Sequence, residues 1–448
     1  MVLDMTTGKP IKKIVSFLIP LILGNLLQLL YSLADSVIVS RTLGVKAFAG
    51  VSATGSLNFL VLGFTWGLCA GCTIPISQEF GANDYAKMRR CFANSFYLLL
   101  ISGAVIGLGT ALGTPAILRL IGTPEDIFGY SAAYISIIFA GIPASVLYNL
   151  LAGAMRAVGD GRTPLIMLVI STCLNIALDL LFILEFRMDV AGSAVATVLA
   201  QLISGFLCLY VIFTRFDILK VRRDEWKADL RVIGRMAGLG LPMGLQFSIT
   251  AIGGTILQSS VNSLGSDIVA AIGAGGKVQQ VFNTPIEALG TTMATYCGQN
   301  LGARRMDRVR KGTLQITLLS AGYCAFAYLM QLAFGPILAK LFIGDAGDAL
   351  LQNVCRFLNV VTATVFLLAL VMIYRNAVQG LGYSAAAMLA GIAELFGRVF
   401  VALVLVRAFG FDGACYANPA AWLAADLLLV PMYLITVRRC ERRFAREG

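Results

Sequence analysis

The chain is 448 residues long, 58% hydrophobic and only 13% charged, with a mean hydropathy of +0.82. That composition excludes a soluble enzyme and marks an integral membrane protein. The formal charge of +11 invites a nucleic-acid partner, but its positions follow a membrane topology, so no nucleic acid is implied.

The opening MVLDMTTGKPIKK is polar and lacks a small-residue cleavage site after a short apolar core, so no removable signal peptide is read. Apolar runs long enough to cross about 30 Å of hydrocarbon then recur at 15–39, 49–77, 91–113, 131–155, 165–184, 192–214, 237–264, 270–297, 313–334, 357–378, 386–408 and 414–436. They predict an all-α membrane protein with about twelve transmembrane helices. No stretch shows the alternation of a membrane β-barrel.

Asp35 lies near the end of the first run, with Asn25, Gln28, Tyr31 and Ser32 before it on roughly one helical face. A charge inside a membrane span is costly and usually functional. Pro20 in the same run removes a backbone donor and reads as either a hinge or a static bend. The fifth run carries Asn175 and, four residues on, Asp179, so the two share a face. The sixth carries Thr197. Carboxylate, amide and hydroxyl oxygens are hard ligands suited to a small cation, and two close carboxylates also favour proton binding. The chain has no histidine, so proton chemistry near neutral pH must fall to carboxylates. The bland alternative places Asp179 at the outer interface and has Asn175 bond a neighbouring helix.

Polar residues recur at depth in the second half: Lys277 and Glu287 on the eighth run, Glu394 and Arg398 on the eleventh, and Asp426 on the twelfth. Glu394 and Arg398, four apart, are read as a buried ion pair. Lys277 and Arg398 are read as the only clearly deep basic residues. Asp426, one turn past Trp422, is a candidate contact for a cationic substrate beside an aromatic ring. The ten cysteines lie mostly in apolar spans without metal spacing and read as small buried hydrophobes.

Basic residues alternate with the spans. With the N-terminus cytoplasmic, Lys9, Lys12, Lys13, the Lys87–Arg90 group, Arg156, Arg162, the segment 215–235, the Arg304–Lys311 group and the arginines from Arg438 to Arg446 fall on one side. Only scattered basics such as Arg41, Lys46, Arg119, Arg187, Lys340 and Arg407 fall on the other. This asymmetry places both termini in the cytoplasm, with anionic lipid as a sufficient partner for the basic loops.

The halves punctuate alike about 221 residues apart: Leu43-Gly44 against Leu264-Gly265, Gln78 and Gly81-Ala82 against Gln299 and Gly302-Ala303, Gly192 against Gly413. Six helices per half return the chain to its starting side, so the halves share an orientation. The expected domains are an amino-terminal lobe 1–214, a cytoplasmic linker 215–235 and a carboxy-terminal lobe 236–448, forming two pseudo-symmetric bundles around a central cavity.

IPLILGNLLQLLYSLADSVIVSRTLG, AGAMRAVGDGRTP after the fourth run, NIALD in the fifth and DVAGSAVATVLAQ entering the sixth together resemble the multidrug and toxic compound extrusion (MATE) transporters, most closely the prokaryotic DinF-like branch. The resemblance implies a secondary active antiporter, not an enzyme, in the multi-pass cytoplasmic membrane of a prokaryote. It would export organic cations or amphipathic drugs by alternating access in exchange for protons or sodium ions. It implies a cation site at Asp35, Asn175, Asp179 and Thr197, a cavity lined by Gln28, Tyr31 and Asn149, and a bending proline at Pro20. It implies no cofactor beyond the coupling ion, no metal beyond sodium at that site, and a monomer working among membrane lipids. The NorM-like branch is expected to carry an acid on the seventh run, where this chain has Gln246 and Thr250; Glu287, Glu394, Arg398 and Asp426 remain secondary candidates. The rival readings are a lipid-linked oligosaccharide flippase of related fold, which needs basic residues to hold a pyrophosphate, and a non-transporting receptor or scaffold.

Overall fold

The computed structural model describes residues 2–343 and 347–447. Among them no strand occurs. Hydrocarbon offers no water to backbone polar groups, so a spanning chain must close its hydrogen bonds within helices.

The residues form two compact units, Met1–Asp4 with Ile19–Gly244, and Met5–Leu18 with Leu245–Gly448. Helix α1 (Pro10–Leu43) runs unbroken through Pro20 and passes from the second unit to the first between Leu18 and Ile19. The first unit continues with α2 (Val45–Ala53), α3 (Gly55–Gly81), α4 (Tyr85–Leu120), α5 (Glu125–Ala140), α6 (Ile142–Ala157), α7 (Arg162–Leu180) and α8 (Asp189–Arg215). Helix α9 (Leu230–Asn262) passes into the second unit after Gly244. There follow α10 (Ser266–Gly302), α11 (Met306–Ile343), α12 (Asp348–Ala363), α13 (Val365–Gly380), α14 (Ser384–Phe400), the short α15 (Val406–Phe409) and α16 (Phe411–Cys415), and α17 (Ala417–Glu447).

Nine described helices are long and apolar enough to cross a membrane, and the bent pairs α5–α6 (47°) and α12–α13 (43°) bring the number to eleven. Helix α10 spans 37 residues and is the remaining long one, made more polar by Lys277 and Glu287. The runs 131–155 and 357–378, each predicted as one helix, are therefore broken. At the first break Gly141 packs against Val198 with no room for a side chain, and Pro143 opens α6. At the second, the Thr364 hydroxyl donates to the carbonyls of Val360 and Val361, both at 3.0 Å, a local bond that competes with the helical ladder.

The duplication read from sequence is present in the backbone. Gly44 (φ 86) and Gly265 (φ 99) precede α2 and α10 in the left-handed region that glycine tolerates. Asn83 (φ 57) and Arg304 (φ 58) follow α3 and α10 in the same way. A π-helical turn follows α7 at Leu181–Glu185 and α14 at Val401–Leu405.

Close packing within the first unit uses small residues. Gly67 and Gly71 on α3 face Gly240 and Gly244 on α9, two G-x-x-x-G rows of the kind that let membrane helices approach. A Cβ at Gly67 would lie 2.5 Å from the Met243 carbonyl, and one at Gly244 2.8 Å from that of Phe64. Residues 215–235, read from sequence as a linker, are folded onto α4. Arg89 grips Glu225 through both carboxylate oxygens at 2.7 and 2.8 Å, which holds the Glu225 carboxyl below its usual range. Tyr97 donates to the Trp226 carbonyl at 2.7 Å, and Asn94 accepts from the Asp229 amide at 2.8 Å.

In the second unit the chain before α1 forms a strap. Met5 is fully buried, and its amide donates to Gln299 Oε1 at 3.0 Å. Arg308 donates to the carbonyls of Gly8, Met5 and Thr7 at 2.7, 2.9 and 3.1 Å and to Asn300 Oδ1 at 3.0 Å. Large apolar side chains such as Leu112, Leu120 and Leu341 are mostly exposed, as a lipid-facing surface requires.

Candidate functional site

The first unit gathers the polar residues that the sequence placed at membrane depth. Asp179 is fully buried and Asn175 is nearly so; both project from the same face of α7. Ser193 and Thr197, four apart on α8, meet them and α1. The Ser193 hydroxyl donates to Asp35 Oδ1 at 3.1 Å. Asn175 Nδ2 donates to Thr197 Oγ1 at 3.3 Å, and Tyr31 and Thr197 share a hydroxyl contact at 3.4 Å. The Asp35 and Asp179 carboxyl groups hydrogen-bond one another, with Ser193 bonded to both.

A hydrogen bond between two carboxyl groups has a stoichiometric consequence. An ionised carboxylate only accepts, so one member of the pair must carry the proton that is donated. Without that proton, or a cation in its place, two like charges would face each other in a poorly solvated site. The surrounding amide and hydroxyl oxygens are also hard enough for a small monovalent cation.

Of the predicted cavity residues, Tyr31 joins this set. Gln28 is exposed, and Asn149 on α6 donates back to the Ser145 carbonyl of its own helix at 2.8 Å. Pro20 is buried within α1. Sequence reasoning missed Ser193, although its spacing from Thr197 on one helical face was available. It also missed Tyr134 on α5, buried and within electrostatic range of both acids.

The second unit holds a different constellation. Glu394 forms an ion pair with Arg375 of α13 and a second, at 3.8 Å, with Arg398. All three are less than a tenth exposed. Arg398 also reaches the Thr250 carbonyl at 3.4 Å, and Gln379 donates to Gln246 Oε1 at 2.9 Å. Asp426 is buried near Arg375, and its oxygens accept no hydrogen bond among the described residues. Trp422 packs into the apolar core of the unit. Arg375 corrects the reading that Lys277 and Arg398 are the only deep basic residues. Lys277 is instead exposed, as is Glu287, which accepts from Gln280 at 3.1 Å.

A family model described as MatE matches residues 20–181 and again 242–404, one copy opening at Pro20 and the other at Pro242. The chain belongs to the MatE family. This MatE protein is 32% identical over 346 residues to the probable multidrug resistance protein YpnP of Bacillus subtilis, covering 76% of each chain. It is 23% identical over 425 residues to the multidrug export protein MepA of Staphylococcus saprophyticus, covering 93% of each. Its fold matches that of a multidrug resistance MATE transporter in an outward-facing conformation, with a TM-score of 0.91, 22% identity and 98% of both chains covered. The MatE fold has twelve helices in two bundles, and its members are multi-pass membrane transporters, not enzymes.

Proposed function

We propose that this MatE protein is a secondary antiporter of a prokaryotic cytoplasmic membrane that expels organic cations or amphipathic drugs by alternating access as protons enter. The observation that carries this reading is the buried contact between Asp35 and Asp179. A proton, or less fittingly a sodium ion, holds the two carboxyl groups together; its loss sets like charges against each other and biases α1 away from α7. Pro20 lies fifteen residues before Asp35 on α1, where the missing backbone hydrogen bond lowers the cost of bending. The protein works as a monomer among membrane lipids and needs no cofactor beyond the coupling ion. No observation favours the oligosaccharide flippase: in the first unit the deep charges are acids, and in the second Arg375 and Arg398 both engage Glu394.

The test is dye efflux from proteoliposomes under an imposed pH gradient or an imposed sodium gradient. The pH gradient is expected to drive efflux and the sodium gradient alone to fail. Asp35→Asn and Asp179→Asn should each reduce pH-driven efflux by about 5- to 150-fold, the range of ordinary coupling free energies. Full pH-driven efflux in Asp35→Asn would overturn the assignment.

A further inference from the structure

We infer that the last three turns of α17 form a binding site for the phosphate headgroup of an anionic phospholipid. The argument starts from the exposed stripe of this helix. Leu423, Leu427, Leu434 and Ile435 are 49%, 68%, 51% and 62% exposed, at the three- and four-residue spacings that keep them on one side of the helix. The same spacings continue through Arg438, Arg442 and Arg446, all exposed. The stripe therefore changes from aliphatic to cationic without changing direction, as a surface lying along one lipid molecule would.

The charges there are poorly compensated by protein. Glu447 pairs with Arg443 at 2.9 Å and Arg304 at 3.2 Å, while Glu441 pairs with Arg310 at 2.6 Å. These pairs engage the neighbouring side of the helix. Among the described residues, Arg438, Arg442 and Arg446 form no ion pair. They line a groove of about 590 Å³ with Ile435, Arg439, Arg443 and Glu447. Guanidinium groups match phosphate oxygens in geometry as well as charge, and a basic cluster just beyond a spanning helix attracts anionic lipid. The apolar segment above it supplies the place for an acyl chain, which distinguishes a lipid from a free anion.

The full-length protein, purified in mild detergent, should retain dioleoylphosphatidylglycerol in preference to dioleoylphosphatidylcholine when bound lipid is counted by native mass spectrometry. Replacing Arg438, Arg442 and Arg446 together by Gln is expected to weaken phosphatidylglycerol retention by about tenfold. The same charge removed at Arg223, Lys227 and Arg231 should leave retention within about twofold, since these lie outside the groove. Equal losses in the two triple variants would overturn the proposal in favour of diffuse surface charge. So would undiminished retention in the α17 variant, or equally tight binding of inorganic pyrophosphate. A triple Arg→Lys variant, which keeps the charge and is monitored by its melting temperature, separates loss of the site from loss of the fold: it should retain phosphatidylglycerol better than the Gln variant.

Discussion

Glu394 holds two arginines at once, and that makes it the residue whose loss the second unit should feel most. Arg375 and Arg398 are both buried, so their charges are tolerable only while an anion lies between them. Glu394→Gln keeps the shape and removes the charge. It should cost about 3–5 kcal/mol, the penalty for uncompensated buried charge, seen as a clearly lowered melting temperature in detergent. Glu287→Gln, at an exposed side chain bonded to Gln280, should stay within about 0.5 kcal/mol; equal shifts for the two would sink the argument. The pair Glu394–Arg398 was legible because four-residue spacing on a helix fixes proximity. Arg375 was not, because it sits near the end of a separate apolar run, and no local pattern says which distant helix will pack beside α14. Asp35 and Asp179 were legible for an energetic reason, since an acid in an apolar run must be satisfied by something. That the two would meet, with Ser193 donating into the contact, is a property of tertiary packing.

At the scale of elements, the strap Met5–Gly8 shows what a polar tail can conceal. Its sequence looks like a solvated end, yet three of its carbonyls are held by the single guanidinium of Arg308. A Lys ammonium has no planar fork with which to reach these acceptors while also bonding Asn300. Arg308→Lys is therefore expected to release the strap nearly as fully as Arg308→Ala, despite retaining charge. With Thr7→Cys as reporter in a background without other reactive thiols, maleimide labelling should accelerate about tenfold or more in either variant, matching a lost restraint of ~1.4 kcal/mol or more. Unchanged labelling would mean that Met5, buried beside Gln299, anchors the strap without Arg308. The bends at Gly141 and Thr364 belong to this scale too. Apolar runs of spanning length advertise a helix, but the interruption depends on contacts such as Gly141 against Val198 that only the folded chain supplies.

For the molecule as a whole, the decisive fact is that neither compact unit is made from one continuous stretch of chain. The second unit contains Met5–Leu18, and the first contains the chain up to Gly244. A break between Arg222 and Arg223 would therefore leave each unit assembled from both fragments. Fragment 1–222 would supply the strap held by Arg308 to the second unit. Fragment 223–448 would supply the first half of α9, whose Gly240 and Gly244 lie against α3, and the Glu225 carboxylate gripped by Arg89. Co-expressed fragments, with an affinity tag only on the second, should copurify in mild detergent. Gly71→Leu combined with Arg308→Ala should reduce recovery of the first fragment, because a side chain at Gly71 would collide with the backbone of Gly240 and the strap would lose its anchor. The glycine change removes the close approach on which this kind of helix pairing depends. If the fragments separate without these substitutions, the exchanged segments do not hold the units together, and the peptide link through residues 215–235 must do so instead.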